Sequence, residues 1–513
     1  MGIKDTFHAM IGERGSSRVA ASLWNQSFPW LLMALVIALG VIQSPAERLV
    51  RYLGYDSGVD LTMQNLLARG YRPTVDFAIA YGLLPLLINK AWYAIAGLTP
   101  SAFRVEVLLV TCVTAWGMAR FASARQVGPA GAALIVLAIP DVLFSSYSTI
   151  VHVLEPALLV HGLAEQARGR HGTALALATA ALFVKPSMAY VYGFCLLVSI
   201  VAASRGGGRP YWVRSLGPAT AVVGVLALVL TAVYGLGPLV ASLLPTKGAA
   251  IYRIGGYGFF RGTGREFWAL PETGFWGCFR YEVGFWVLGS LWLAWGGLVA
   301  MVRLARGRSI GDEIRNDEMV ACCAALHVVF VTCFFGQRMS WTYYFAILVL
   351  GLAARAKGTG KRVIVAWCLA VLLLINDRSK LLTTYREWLT SAASRETLGL
   401  WASPGEQVEW RKVLELTRDT PPVLLARVEG SVILIPRFAP PVAAYLCPGL
   451  TLPVEIHRKV SQLSSAELIV SLVGRDWEGF TFWPELAAAL DGCEFLFDGK
   501  TFLVYRRTRP PSQ

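Results

Sequence analysis

The sequence predicts an α-helical polytopic membrane protein with a small extracytoplasmic α/β domain at its C-terminal end. Three observations lead there: an apolar composition, repeated apolar runs near bilayer length, and a change of character after Asn376. Of 513 residues, 55% are hydrophobic and 16% are charged, whereas ordinary soluble domains carry about 25% charged residues. Mean hydropathy is +0.53. A soluble fold of this composition lacks the polar groups to cover its surface, and runs near the roughly 20 residues that cross a bilayer account for the excess.

The apolar runs are Phe28–Gln43, Ala102–Phe121, Gly128–Tyr147, Thr149–Leu163, Thr173–Val184, Met188–Ala203, Leu216–Tyr234, Val283–Val302, Met319–Phe335, Trp341–Ala354 and Val363–Ile375. They predict about eleven transmembrane helices. Residues 1–27 form a cytoplasmic N-terminal segment, residues 28–376 the membrane module and residues 377–513 the α/β domain. About 27 residues before the first apolar core is too long for a signal peptide, so that run reads as a retained anchor. Tyr81–Leu98 is also apolar but holds Asn89 and Lys90. Counting it as a span inverts the charge bias of every later loop. It is therefore expected to lie on the outer membrane surface with its apolar face in lipid.

The net charge of +14 then has a plain explanation, because cytoplasmic loops collect Lys and Arg. Arg120, Arg125, Arg168, Arg170, Arg205, Arg209, Arg214, Arg303, Arg306 and Arg355 all fall on inside turns. No basic aromatic module points to nucleic acid. The nine cysteines show no metal spacing. Cys447 and Cys493 are candidates for a disulfide if the tail faces an oxidising compartment. In that tail the pattern predicts helices over Pro404–Thr417 and Trp483–Leu490. It predicts strands over Val423–Val428, Val432–Pro436, Leu468–Val473, Phe495–Phe497 and Phe502–Tyr505.

Two long outside loops follow, residues 44–101 and 235–282. In the first, Asp56 or Ser57 stands where an N-cap belongs, ahead of a helical run with Leu61, Leu66 and Leu67, and Gly70 ends it. Asp60 falls one turn inside that helix. Then comes Gly70-Tyr-Arg-Pro73-Thr-Val-Asp76-Phe77, with Gly82 five residues beyond Phe77.

This stretch resembles the membrane glycosyltransferases of the GT-C fold: oligosaccharyltransferase catalytic subunits, protein O-mannosyltransferases and aminoarabinose transferases. In that family an acid follows the first span and opens an amphipathic helix, and a Gly-x-x-Pro-x-x-Asp-aromatic pattern with a later Gly comes next. The resemblance covers Phe28 to about Ser204 and is general beyond it. It implies that Asp56 is the catalytic acid, with Asp60 the second candidate and Asp76 a substrate-binding one. It further implies a polyprenyl-phosphate-linked sugar donor, a glycan, lipid or protein acceptor, and a bacterial plasma membrane. Inverting sugar transfer to a hydroxyl needs one base near the acceptor, which a single carboxylate supplies.

The family's second acid is missing. Its place reads Tyr147-Ser-Thr-Ile-Val-His152-Val-Leu-Glu155-Pro156. His152 and Glu155 share a helix face and can hold a hydroxyl or assist the base. Without that acid no metal ligand set is expected, a divalent cation such as Mg or Mn being the alternative. Outside cations suit a lipid phosphate: Lys185 in Phe-Val-Lys-Pro, Arg338 in a tight turn, and Arg253, Arg261 and Arg265 in the second loop. The competing readings are a transporter or flippase, a surface-polysaccharide polymerase or ligase, and a non-catalytic scaffold. A flippase predicts acids buried mid-span and matching broken helices. No repeat is visible, and Asp141 and Glu155 are the acids noted in or near spans.

Overall fold

The computed structural model describes residues 13–42, 49, 58–145, 149–186, 189–190, 192–194, 196–197, 208–244, 283–307, 345–356, 360–429, 435 and 437–508. The described chain is mostly helical, with small sheets near its C-terminal end. In order come α1 (Glu13–Ile42), α2 (Val59–Ala68), α3 (Leu84–Ala96), α4 (Pro100–Arg125), α5 (Pro129–Leu137) and α6 (Ile139–Ser145). Next are α7 (Val151–Ala167), α8 (His171–Leu182), α9 (Gly208–Tyr234), α10 (Leu236–Leu243), α11 (Val283–Ala305), α12 (Phe345–Arg355) and α13 (Lys361–Thr390).

Pro100–Arg125 and Trp212–Tyr234 are long and apolar enough to cross a bilayer, and five shorter apolar helices accompany them. The second leaves most of its apolar side chains uncovered, Leu228 being 73% exposed. Such a continuous uncovered face suits lipid rather than water. The run Met319–Phe335 lies outside the described residues, as does much of Met188–Ala203.

Three expected boundaries move. The Gly128–Tyr147 run divides into α5 and α6 around Ala138. Pro140 explains the break, since its ring displaces the carbonyl four residues back and it donates no N–H. Helix α1 starts at Glu13, well inside the expected N-terminal segment. Helix α13 continues through Asn376 and Asp377 to Thr390.

Helix α4 packs against α1 and α7, α8 against α7 and α9, and α5 against α12 and α13. The helices α4 and α7 both start at the same end of this bundle. At their far end Glu165, 3% exposed, is surrounded by Arg120, Arg168 at 3.7 Å and Arg170 at 3.4 Å. There too Gly172 packs on the Arg214 and Ser215 carbonyls, and Gly131 on Ala353 near Arg355. Arg120, Arg168, Arg170, Arg214 and Arg355, all assigned to inside turns, thus gather at one end. The near end holds α2, α3 and the C-terminal domain.

That domain comprises β1 (Ala392–Ala393), β2 (Trp401–Ala402), α14 (Pro404–Leu416), β3 (Val423–Leu425), α15 (Pro453–Ser465) and β4 (Leu468–Ser471). Helices α16 (Glu478–Phe482) and α17 (Pro484–Ala488) follow, then β5 (Cys493–Asp498) and β6 (Leu503–Arg507). The sheet order is β3-β4-β6-β5, with β3 parallel to β4 and the other pairs antiparallel. Helix α14 starts as its sequence demands. Ser403 Oγ accepts from the Glu406 N–H at 3.3 Å and Glu406 accepts from the Ser403 N–H at 2.6 Å, with Pro404 in the first turn. Of the expected strand Val432–Pro436 only Ile435 is described, outside any strand. Helix α15 is an element the pattern reading omits. Cys447 and Cys493 do not pair with each other and sit in different apolar clusters.

Helix α15 buries a charge. Lys459 forms an ion pair with Glu429, and its ammonium also donates to the Leu424 carbonyl and to Gln462 at 2.9 Å. Burial, the larger influence on both, pushes Glu429 up and Lys459 down, and the pairing opposes it. Removing one partner strands the other charge in the core. Lys459→Met is expected to cost about 3–5 kcal/mol, read as a lower melting temperature of the purified full chain. The double variant Glu429→Gln, Lys459→Met is expected to recover most of it.

Candidate functional site

The site is built where α2 begins. Gly58 occupies the N-cap position at φ −89° and ψ −10°, with no side-chain cap, so the helix starts later than an Asp56 or Ser57 cap would place it. Asp60 therefore stands in the first turn, where the helix dipole favours a carboxylate. It is 3% exposed. Its Oδ1 accepts from Asn89 Nδ2 at 3.1 Å and its Oδ2 from the Ile150 N–H at 2.9 Å. One acid thus joins α2, α3 and the entry to α7.

Helix α3 corrects an expectation. The face bearing Pro85, Leu86, Asn89 and Tyr93 is buried in the protein, and Lys90 and Ile95 are exposed. Asn89 faces inward because a buried carboxylate requires donors. Behind it Glu106 of α4, 4% exposed, interacts with Asp60 and Tyr93. Glu106 stands inside the run Ala102–Phe121 and is a span acid beyond Asp141 and Glu155.

The second part of the site comes from the motif's end. The Gly82 N–H donates to the Val184 carbonyl at 2.8 Å and the Leu84 N–H to the Phe183 carbonyl at 3.0 Å. A Cβ on Gly82 would lie 1.9 Å from the Phe183 oxygen, so this clamp closes only on glycine. The clamp brings Tyr81 beside Lys185, whose ammonium is 5.5 Å from the Tyr81 ring centroid. Tyr81 Oη and His152 Nε2 share a hydrogen bond at 3.1 Å, their rings edge to face. Glu155 neighbours Lys185 electrostatically. His152 and Lys185 therefore meet at Tyr81, with Glu155 beside Lys185.

Asp60, Tyr81, Gly82, Thr149 and Tyr445 line one small, partly open cleft together with apolar residues including Val59, Met63 and Ile79. Apolar walls with a few fixed polar groups are what a ligand site offers. Tyr445 comes from the C-terminal domain. The same domain grips the loop below: Arg69 donates to the Pro441 carbonyl at 2.6 Å, and Arg458 donates to the Asp76 carbonyl while lying 4.5 Å over the Tyr71 ring.

Asp76 does not line this cleft. Its carboxylate accepts from the Arg72 N–H at 2.9 Å and from Arg72 Nε at 3.1 Å, closing a turn, and Arg72 holds it below its ordinary value. Asp56, Arg253, Arg261, Arg265 and Arg338 lie outside the described residues. Among the described residues no group of three His, Cys, Asp or Glu could hold a metal ion. Tyr81, Asn89, Glu106 and Tyr445 were not singled out for the site. Asn89 and Glu106 carried a signal, each being a polar residue inside an apolar run. Tyr81 and Tyr445 carried none.

No family model matches the chain, and no curated protein matches it. Among solved structures it is similar to the crystal structure of ArnT from Cupriavidus metallidurans bound to undecaprenyl phosphate, at 13% identity and a TM-score of 0.45. That likeness covers 94% of this chain and 99% of the other.

Gly82→Ala is expected to open the clamp. Hydrogen exchange at the residue 82 and Leu84 amides should rise roughly tenfold or more, while protection across β4 and β6 holds.

Proposed function

We propose that this chain is a membrane glycosyltransferase that moves a sugar from a polyprenyl-phosphate donor to a glycan, lipid or protein acceptor on the outer face of a bacterial plasma membrane. One observation carries the reading. Asp60 at the α2 start and Tyr81 line one cleft, and the His152 imidazole and the Lys185 ammonium adjoin Tyr81, at the bundle end opposite the arginine cluster. By the positive-inside rule the arginine end faces the cytoplasm, and the cleft then opens at the outer interface.

In this reading Asp56 is the base that takes the acceptor's proton, by its place four residues before Asp60 and by the resemblance of the loop motif. Asp60 is a positioning residue, since both its oxygens are engaged by Asn89 and the Ile150 N–H. Lys185 meets the donor phosphate, joined by Arg338, Arg253, Arg261 and Arg265. His152 and Tyr81 hold an acceptor or sugar hydroxyl, as a paired imidazole and phenol can do by donating and accepting in turn. Transfer proceeds by inversion, and one carboxylate base suffices because a phosphate leaving group requires little protonation; the missing second acid in the loop before α7 speaks against a metal, with a divalent cation such as Mg or Mn the alternative. A flippase is the second reading, favoured by the buried Glu106 and Glu155.

The test uses the full chain in cells and in membranes. Asp56→Asn is expected to abolish the surface glycan, a loss of roughly a hundredfold or more in transfer. Lys185→Ala is expected to weaken retention of undecaprenyl phosphate by the purified chain. Full transfer by Asp56→Asn would remove it as the base. Lipid-linked sugar that reaches the outer face only when this chain is present, but is never transferred by it, would favour the flippase.

A further inference from the structure

The C-terminal domain meets the cleft through one buried carboxylate. Glu455 of α15 is fully buried. Its Oε2 accepts from the Leu452 N–H and from the Ala78 N–H, both at 2.9 Å, and its Oε1 accepts from the Ala444 N–H at 2.8 Å. Capping α15 accounts only for the Leu452 bond. The other two leave the helix. Ala444 precedes Tyr445, which lines the cleft, and Ala78 lies three residues before Tyr81. Arg458, on the same helix, secures the Asp76 carbonyl two residues earlier. The loop in turn is fastened on its other side by the Gly82 clamp. Residues 76–84 are thus held from above by Glu455 and Arg458 and from the side by Phe183 and Val184.

Burial is the largest influence on this carboxyl and pushes it up to about 7, against its three N–H donors and Arg458. Placing an acid here carries a desolvation cost that a capping residue at the surface would avoid. The two extra bonds are what that cost sustains.

We infer that Glu455 is a positioning residue that couples the C-terminal domain to the substrate cleft, fixing Tyr81 and Tyr445 through the Ala78 and Ala444 amides. The inference rests on the reading of this cleft as the place of sugar transfer. It assigns the domain a part in shaping the site.

The test compares Glu455→Ala, Glu455→Met and Glu455→Gln in the full-length chain, by hydrogen exchange and by transfer kinetics. Loss of the acceptor is expected to raise exchange across residues 76–84 and 443–446 by roughly tenfold or more. Protection at Ile469 and Val504 in the sheet should stay as in the wild type. Transfer should fall in kcat by roughly tenfold to a hundredfold, with donor KM little changed. Gln, whose carbonyl can take the Oε2 place but whose NH2 then faces the Ala444 N–H, should restore protection over 76–84 and leave 443–446 loosened. Met keeps the side-chain volume, so it decides the matter if Ala unfolds the domain. A folded Glu455→Met chain with wild-type exchange over 76–84 would overturn the coupling. Exchange does not depend on activity. Loosening of 76–84 in a chain whose wild type transfers no sugar would leave the coupling standing and remove the transferase reading.

Discussion

The Asp60 carboxylate is the junction on which the near end of the bundle depends. A buried acid has to be supplied with donors, and here one comes from a side chain on α3 and one from the backbone at the start of α7. Without the carboxylate, Asn89 Nδ2 and the Ile150 N–H are left buried and unsatisfied, at roughly 1–3 kcal/mol each. That junction sets where α7 begins, and so where His152 stands. Asn89 in turn dictates which face of α3 turns inward, which explains why an apolar helix packs on protein rather than lying with its face in lipid.

From this junction the molecule divides by charge. Helix α4 carries Glu106 near its start and Arg120 near its end, about 21 Å apart along the axis. Helix α7 carries His152 and Glu155 at one end and Glu165 at the other. The near end joins acids, the His152 imidazole and the Lys185 ammonium beside the cleft that Asp60 and Tyr81 line. The far end joins three arginines to a single glutamate. The C-terminal domain packs on the near end and adds Tyr445 to the cleft, so the domain and the helical bundle share it.

Much of the architecture was legible in the sequence because it rests on local rules. Apolar runs marked the helices, and the arginines that cluster around Glu165 and Gly172 are those the charge count put on inside turns. Ser403-Pro404 with Glu406 announced α14. Helix α15 had the same kind of signal, Pro453 with Glu455 and then Ile456 and Leu463 on one face, but its buried Lys459 made the pattern look like a surface stretch. The site was less legible. Lys185 and His152 stood out as ionisable groups in apolar surroundings, yet nothing in their spacing paired them with Tyr81. Gly82 appeared in the motif without its reason, which is the Phe183 carbonyl a hundred residues away in the chain. Asp60 looked like a helix acid because its donors, Asn89 and Ile150, lie in other segments. Long-range contacts decide each of these, and a single sequence does not display them.

Under the proposed function, the cleft lined by Asp60 and Tyr81, with Lys185 against the Tyr81 ring, receives a polyprenyl phosphate at the bundle end opposite the arginines around Glu165. The most direct measurement is photo-crosslinking of the full chain in membranes with a photoreactive polyprenyl phosphate, followed by mapping of the labelled peptides. The account predicts labelling within residues 58–86 and 149–186, competed by unlabelled undecaprenyl phosphate and lost in Lys185→Ala. Competed labelling confined to the arginine end, around Arg120, Arg168 and Arg170, would contradict it.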